Sequence, residues 1–113
     1  MRKRSLKNQK YHQRYLYRLT PYLMIENPIC KVCGKANSQQ IHHMNGREAW
    51  REVVEEWWLA VCYPCHDRIT KDRIWAEDNG YIYSRNKVIN SVPFEEESRL
   101  RNYYEDLLNN EAA

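Results

Sequence analysis

Two short stretches decide how this chain folds: Cys30-Lys31-Val32-Cys33, followed by Gly34, and Cys62-Tyr63-Pro64-Cys65, followed by His66. Zn²⁺ favours four thiolate or imidazole ligands in a tetrahedron, and two C-x-x-C turns supply two sulfurs each. The glycine after the first pair suits a tight knuckle whose backbone N–H groups point at sulfur. No apolar run approaches the roughly 18 residues of a membrane span, and no apolar stretch follows the charged start Met1-Arg2-Lys3-Arg4. The chain therefore reads as cytoplasmic, with no membrane partner. In a reducing compartment paired cysteines favour a metal over disulfides, which with free thiols are the alternatives. A site closed by four thiolates has no open coordination position, so the zinc is structural and pins residues 30–33 against 62–65.

Between these knuckles, positions 38–43 read as a strand ending in His42-His43, and Met44-Asn45-Gly46-Arg47 as a turn. Residues 48–57 place Trp50, Val53, Val54 and Trp57 on one helical face, with Glu48, Glu52, Glu55 and Glu56 largely off it. Trp58-Leu59-Ala60-Val61 reads as a buried strand. Pro64 suits a first helical position, so a helix follows to about Lys71. It continues or restarts over 73–78, until Asn79-Gly80. Tyr81-Ile82-Tyr83 and Lys87-Val88-Ile89 flank Ser84-Arg85-Asn86 as a hairpin.

A last helix is predicted over 93–109, with Phe94, Leu100, Tyr104, Leu107 and Leu108 inward and Glu95, Glu96 and Glu97 at its positive end. Upstream, residues 6–19 read as a helix with a stripe of Leu6, Tyr15, Leu16, Leu19 and Leu23. Thr20-Pro21 interrupts it, and a short helical piece covers 21–26. Trp50, Trp57 and Trp58 read as core rather than as a base-stacking platform. The fold class is α+β: a small zinc-stapled core with flanking N- and C-terminal helices. The parts are a basic helical arm over 1–29, the core over 30–78, and a hairpin with an acidic helix over 79–113, packed with the core as one domain.

Charge is graded along the 113 residues, whose net charge is +3. Residues 1–35 carry nine Lys or Arg against Glu26 alone, whereas 91–113 carry two Arg against six acidic groups. The arm residues Arg2, Lys3, Arg4, Lys7, Lys10, Arg14 and Arg18, interleaved with Tyr11, Tyr15 and Tyr17, form the electrostatic footprint of nucleic-acid binding. The same pattern fits a solvated basic helix. The acidic C-terminal helix suits docking of a protein partner, or closure of the core.

Three histidines belong to the stapled unit, while His12 in the arm reads as a polar helix residue. Successive residues at a helix start are rotated by about 100°, so His66 points away from the sulfurs and toward the His42-His43 strand. Adjacent strand residues point to opposite faces. For both His42 and His43 to act, a twist or bulge beside Asn45-Gly46 is needed.

The segment from Cys30 to about Thr70, about 40 of the 113 residues, resembles an HNH nuclease domain of the ββα-metal fold, in the branch that carries a four-cysteine zinc. The residues that carry the likeness are Cys30-Lys-Val-Cys33-Gly34, Ile41-His42-His43, Gly46-Arg47 and Trp58-Leu-Ala-Val-Cys62-Tyr-Pro-Cys65-His66-Asp67. The chain also resembles small phage and prophage HNH proteins with a basic helix before the first knuckle, which implies a phage or bacterial host cell. By position, the likeness makes His43 the general base. It makes His42 and His66 ligands of a second, catalytic metal (Mg²⁺, Mn²⁺, Ni²⁺ or Zn²⁺), and Arg47 a phosphate contact. DNA is the implied substrate.

Two positions depart from the family pattern. Trp57 stands where a middle asparagine is usual, and Thr70 where a further metal-binding histidine commonly lies. Asn45, in the turn, matches the asparagine position poorly, and Asp67 points off the His66 face. With two nitrogen ligands instead of three, catalytic-metal affinity falls. The expected function is a metal-dependent DNA endonuclease; the alternative is a weakened or inactive zinc-stapled module that binds nucleic acid or a protein partner.

Overall fold

The computed structural model describes residues 5–83 and 91–111. Arg2, Lys3, Arg4 and both the turn (Ser84-Arg85-Asn86) and the second strand (Lys87-Val88-Ile89) of the expected hairpin lie outside them. Among the described residues the architecture is α+β: helices around one two-stranded antiparallel sheet. No helix among them is long and apolar enough to cross a membrane.

Helix α1 spans Leu6–Pro21, capped by the Ser5 hydroxyl, which accepts from the Asn8 N–H at 3.1 Å. Capping by serine satisfies one of the donors that a helix start leaves open. Pro21 does not end the helical path. The chain continues as a π-helical turn over Tyr22–Glu26 and stops at Asn27, ahead of Pro28. The expected apolar stripe is corrected: Leu6 and Leu16 are exposed, and the inward face is Tyr11, Tyr15, Leu19 and Leu23. Two of the three aromatics of the basic segment are thus core residues, and only Tyr17 projects outward.

Strand β1 (Gln40–His43) pairs with β2 (Trp58–Val61) in a register that sets His42 against Leu59 and His43 against Trp58. The segment between them is two 3₁₀ turns, Ala49–Val53 and Glu55–Trp57, rather than an α-helix. Val54 between them is extended (φ −76°, ψ 97°), which breaks the helical rotation. The apolar residues Trp50, Val53, Val54 and Trp57 still turn inward, joined by Tyr11 of α1. Glu52 does not behave as the helical spacing predicts: it is 1% exposed.

Helix α2 (Tyr63–Lys71) follows β2 directly, with Pro64 in its first turn, and α3 (Arg73–Asp78) restarts from an Asp72 cap. Helix α4 (Phe94–Glu111) closes the Trp50–Trp57 side with Leu100, Tyr104 and Leu108. Phe94, expected inside, is 78% exposed at the first residue of α4, ahead of that face. A further apolar cluster gathers Val61, Ile69 and Ala76 around Cys30 and Cys62. The sulfur clamp is therefore packed into an apolar cluster of its own.

Candidate functional site

The first knuckle is shaped by backbone bonds. Gly34 takes a left-handed φ of 68°, and its N–H donates to the Cys30 carbonyl at 2.9 Å. Lys31 N–H donates to Ala60 of β2 at 2.9 Å, which fastens the knuckle to the sheet edge. The second knuckle lies where β2 turns into α2. Together they place the sulfurs of Cys30, Cys33, Cys62 and Cys65 within 4.8 Å of one another, with Cys33 and Cys62 Sγ 4.0 Å apart.

A tetrahedron with metal–sulfur bonds of about 2.3 Å has sulfurs about 3.8 Å apart, so the cluster can hold a metal such as zinc. Its electrostatics fit too. Burial raises the Cys30 thiol pKa, but N–H groups of Cys33, Cys62 and Val32 outweigh it and bring the thiol below its ordinary range. Burial and the three neighbouring cysteines push Cys65 up. Four sulfurs this close ionise together only with a cation among them.

The structure brings His42 and His66 together, with ring centres 5.2 Å apart. His42 projects from β1 and its Nε2 lies 2.9 Å from the Tyr81 carbonyl, to which it can only donate. His66, in the first turns of α2, has Nδ1 against the Gln40 side-chain oxygen. Each ring therefore has one nitrogen fixed by an acceptor, leaving Nδ1 of His42 and Nε2 of His66 as lone-pair nitrogens. That is how ligating histidines are oriented by their surroundings. Two imidazoles bound at about 2.1 Å to one tetrahedral ion have ring centres about 5 Å apart. Burial lowers the pKa of both rings, which favours the neutral, ligating form.

The twist or bulge expected for joint action of His42 and His43 is not seen among the described residues. The pairing with β2 stays regular through His43, which faces Tyr15 of α1 while His42 faces His66 of α2. The His43 ring lies 5.3 Å from that of Tyr15 on α1 and 6.1 Å from that of Trp58. Its Nε2–H donates to the Glu52 carbonyl at 3.2 Å, which leaves Nδ1 basic. Burial first, then the charge of Arg47, holds the pKa of His43 down to about 4. Arg47 lies over the Tyr15 ring, 5.0 Å from its centre, with its Nε donating to the Glu52 carboxylate at 3.3 Å.

The positions that depart from the HNH pattern have other partners. Thr70 Oγ1 donates to the His66 carbonyl at 3.1 Å, and exposed Asp67 pairs with Lys71 at 3.0 Å. Buried Asn45 donates to Glu97 of α4 at 3.1 Å, tying the turn to that helix. Trp57 is core, packed on Trp50. Along α1, Lys10 is exposed, Lys7 pairs with Glu105, and Arg14 reaches over Tyr17. Arg18 bridges Glu26 and Glu55 at 2.7–3.0 Å.

The residues missed from sequence are His12 and Glu52. His12 Nδ1 lies 3.1 Å from the buried Glu52 carboxylate. Their separation of 40 positions hides the pairing; the one local signal is that His12 borders the Tyr11–Tyr15 face. Compared with protein-family models, curated proteins and solved structures, the chain matches none.

Proposed function

We propose that this chain is a metal-dependent phosphodiester hydrolase of HNH type acting on DNA. The observation that carries the reading is the His42–His66 pair, 5.2 Å apart, each ring with its other nitrogen fixed by an acceptor. His42 and His66 would hold a divalent ion through Nδ1 and Nε2, respectively. Such an ion supplies Lewis-acid stabilisation of charge on the phosphate and the departing 3′-oxygen.

On this reading His43 would be the base at the end of β1: its Nε2–H is engaged by the Glu52 carbonyl, so Nδ1 is the atom left to take the proton of the attacking water. Arg47 has its Nε on Glu52 and a side chain 54% exposed, which leaves its outer edge to bind a phosphate oxygen. Exposed Lys10 and half-buried Arg14 on α1, with Arg2, Lys3 and Arg4 before it, supply contacts to the DNA backbone, so affinity falls steeply with salt. The four cysteines keep zinc as the staple between the knuckles and take no part in the chemistry.

A second reading has its own observation. Thr70 and Asp67 are engaged elsewhere, so the second ion would have two protein ligands among the described residues. On that reading the chain is a zinc-stapled module that binds nucleic acid or a protein partner without cutting.

The test is nicking of supercoiled plasmid by the zinc-loaded chain with added Mg²⁺ or Mn²⁺. The wild type nicks, while His43→Ala abolishes nicking with one tightly held zinc per chain retained. Equal nicking by both overturns the assignment. Binding to DNA without nicking by the wild type establishes the second reading.

A further inference from the structure

Glu52 is a buried carboxylate beside the site, on a turn whose other inward residues are Trp50 and Val53. An ionised carboxylate in such surroundings is costly unless it is paired. Two separate elements bring basic groups to it: His12 of α1 at 3.1 Å and Arg47 of the turn after β1 at 3.3 Å. Its main-chain carbonyl accepts from His43 Nε2 at 3.2 Å and from Trp58 Nε1 at 2.9 Å. One residue thus touches both groups to which the proposed function assigns the proton and the phosphate.

The geometry at Arg47 shows what this accomplishes. A free arginine side chain samples many rotamers, and its guanidinium binds phosphate best when held in plane. Here the Nε–H is fixed by Glu52 and the flat face lies over Tyr15, whose ring also lies against His43. The Arg47 side chain is 54% exposed, so the outer edge of the guanidinium faces solvent.

We infer that Glu52 is a positioning residue: its carboxylate, braced by His12, holds Arg47 toward a phosphodiester, and its carbonyl sets the ring of His43. The inference rests on the hydrolase reading for its meaning, but its geometry is tested separately. Helix α1 is then part of the site, because His12 and Tyr15 support both groups.

The experiment uses the full zinc-loaded chain and, as probe, a DNA duplex of about two helical turns and arbitrary sequence, without added divalent ion. Glu52→Gln is expected to raise the Kd for the duplex about three- to ten-fold, as a loosened charge-assisted contact does, with zinc content unchanged. In an Arg47→Ala background the same substitution changes Kd by less than about two-fold, because the contact it supports is already gone. His12→Gln, which keeps the carboxylate, gives the same dependence on Arg47 with a smaller effect and serves if Glu52→Gln does not fold. Imidazole ¹⁵N spectra give a second measurement: the wild type shows His43 with its proton on Nε2.

Equal losses with and without Arg47, no loss in Kd for either variant, or a His43 proton on Nδ1 overturns the positioning role. If plasmid nicking is absent from the wild type while the Kd coupling and the tautomer hold, the hydrolase reading fails and the positioning role stands.

Discussion

Replacing Thr70 by histidine tests the proposed second metal site directly. Residues four apart on a helix lie on one face, offset by about 40° in rotation and about 6 Å along the axis. Thr70 is exposed on α2, one turn beyond His66, and its hydroxyl bonds to the His66 carbonyl at 3.1 Å. Losing that bond is cheap, because such back-bonding by threonine contributes little to a helix. Threonine and histidine also differ by only about a few tenths of a kcal/mol in helix propensity.

A third imidazole on the His66 face adds a nitrogen donor to those of His42 and His66. The expected gain for a second equivalent of Ni²⁺ or Mn²⁺ is about ten- to a hundred-fold, or about 1.4–2.8 kcal/mol. The assay is calorimetric titration of the zinc-loaded chain, so that the four-sulfur cluster is saturated. In a His42→Ala background the affinity of the Thr70→His chain should fall by about ten-fold or more, because two imidazoles four apart on α2 remain in place of three. An affinity unchanged within about two-fold by Thr70→His, or unchanged by loss of His42 in that chain, refutes the idea that His42 and His66 converge on one ion.

Two further outcomes follow from burial. Ile69 of α2 is fully buried beside Cys30 and Cys62, so Ile69→Ala should cost about 2–5 kcal/mol in urea unfolding of the zinc-bound chain; a loss under about 1 kcal/mol contradicts the packing. The folded pKa of His43, about 4, lies below the unfolded value near 6.5, so the fold favours the neutral ring. That contribution is full above about pH 6.5 and is lost as pH falls toward 4; at its full extent it is on the order of 3 kcal/mol. Urea unfolding of wild type and His43→Gln at pH 7 and pH 4.5 checks it: the stability gap between them should narrow at the lower pH, and a constant gap contradicts it.

The readable parts of the fold are those with short-range causes. Two C-x-x-C pairs announce a clamp, Pro64 announces a helix start, and Trp58-Leu59-Ala60-Val61 announces a buried strand; each lies within a residue or two of its predicted place. The convergence of His66 on the strand follows from helical rotation alone, and His42 is its partner there. Helical spacing misplaces Glu52 because the chain makes two 3₁₀ turns around an extended Val54 where a 3.6-residue period is expected. Hydrophobicity places Phe94 and Leu6 inside, yet each starts a helix, where little of the chain lies against it. The role of His12 depends on a residue 40 positions away, and no local pattern carries that information.

The basic helix illustrates how charge pattern and packing answer different questions. Its lysines and arginines suggest an arm that reaches for nucleic acid, yet Tyr11 is 2% exposed against the segment between the strands and Tyr15 is 8% exposed against the strands themselves. A helix that buries two tyrosines is fixed to the core, because each ring removes on the order of 150–250 Å² from water. One side of α1 therefore packs on the core through Tyr11 and Tyr15, which leaves Lys10 outside to face a partner. On the proposed reading, backbone contacts through that outer side and the bracing of Glu52 by His12 are made by the same rigid element. Contacts made by α1 then fix the register of the scissile phosphate relative to Arg47 and His43, which a flexible arm would leave free.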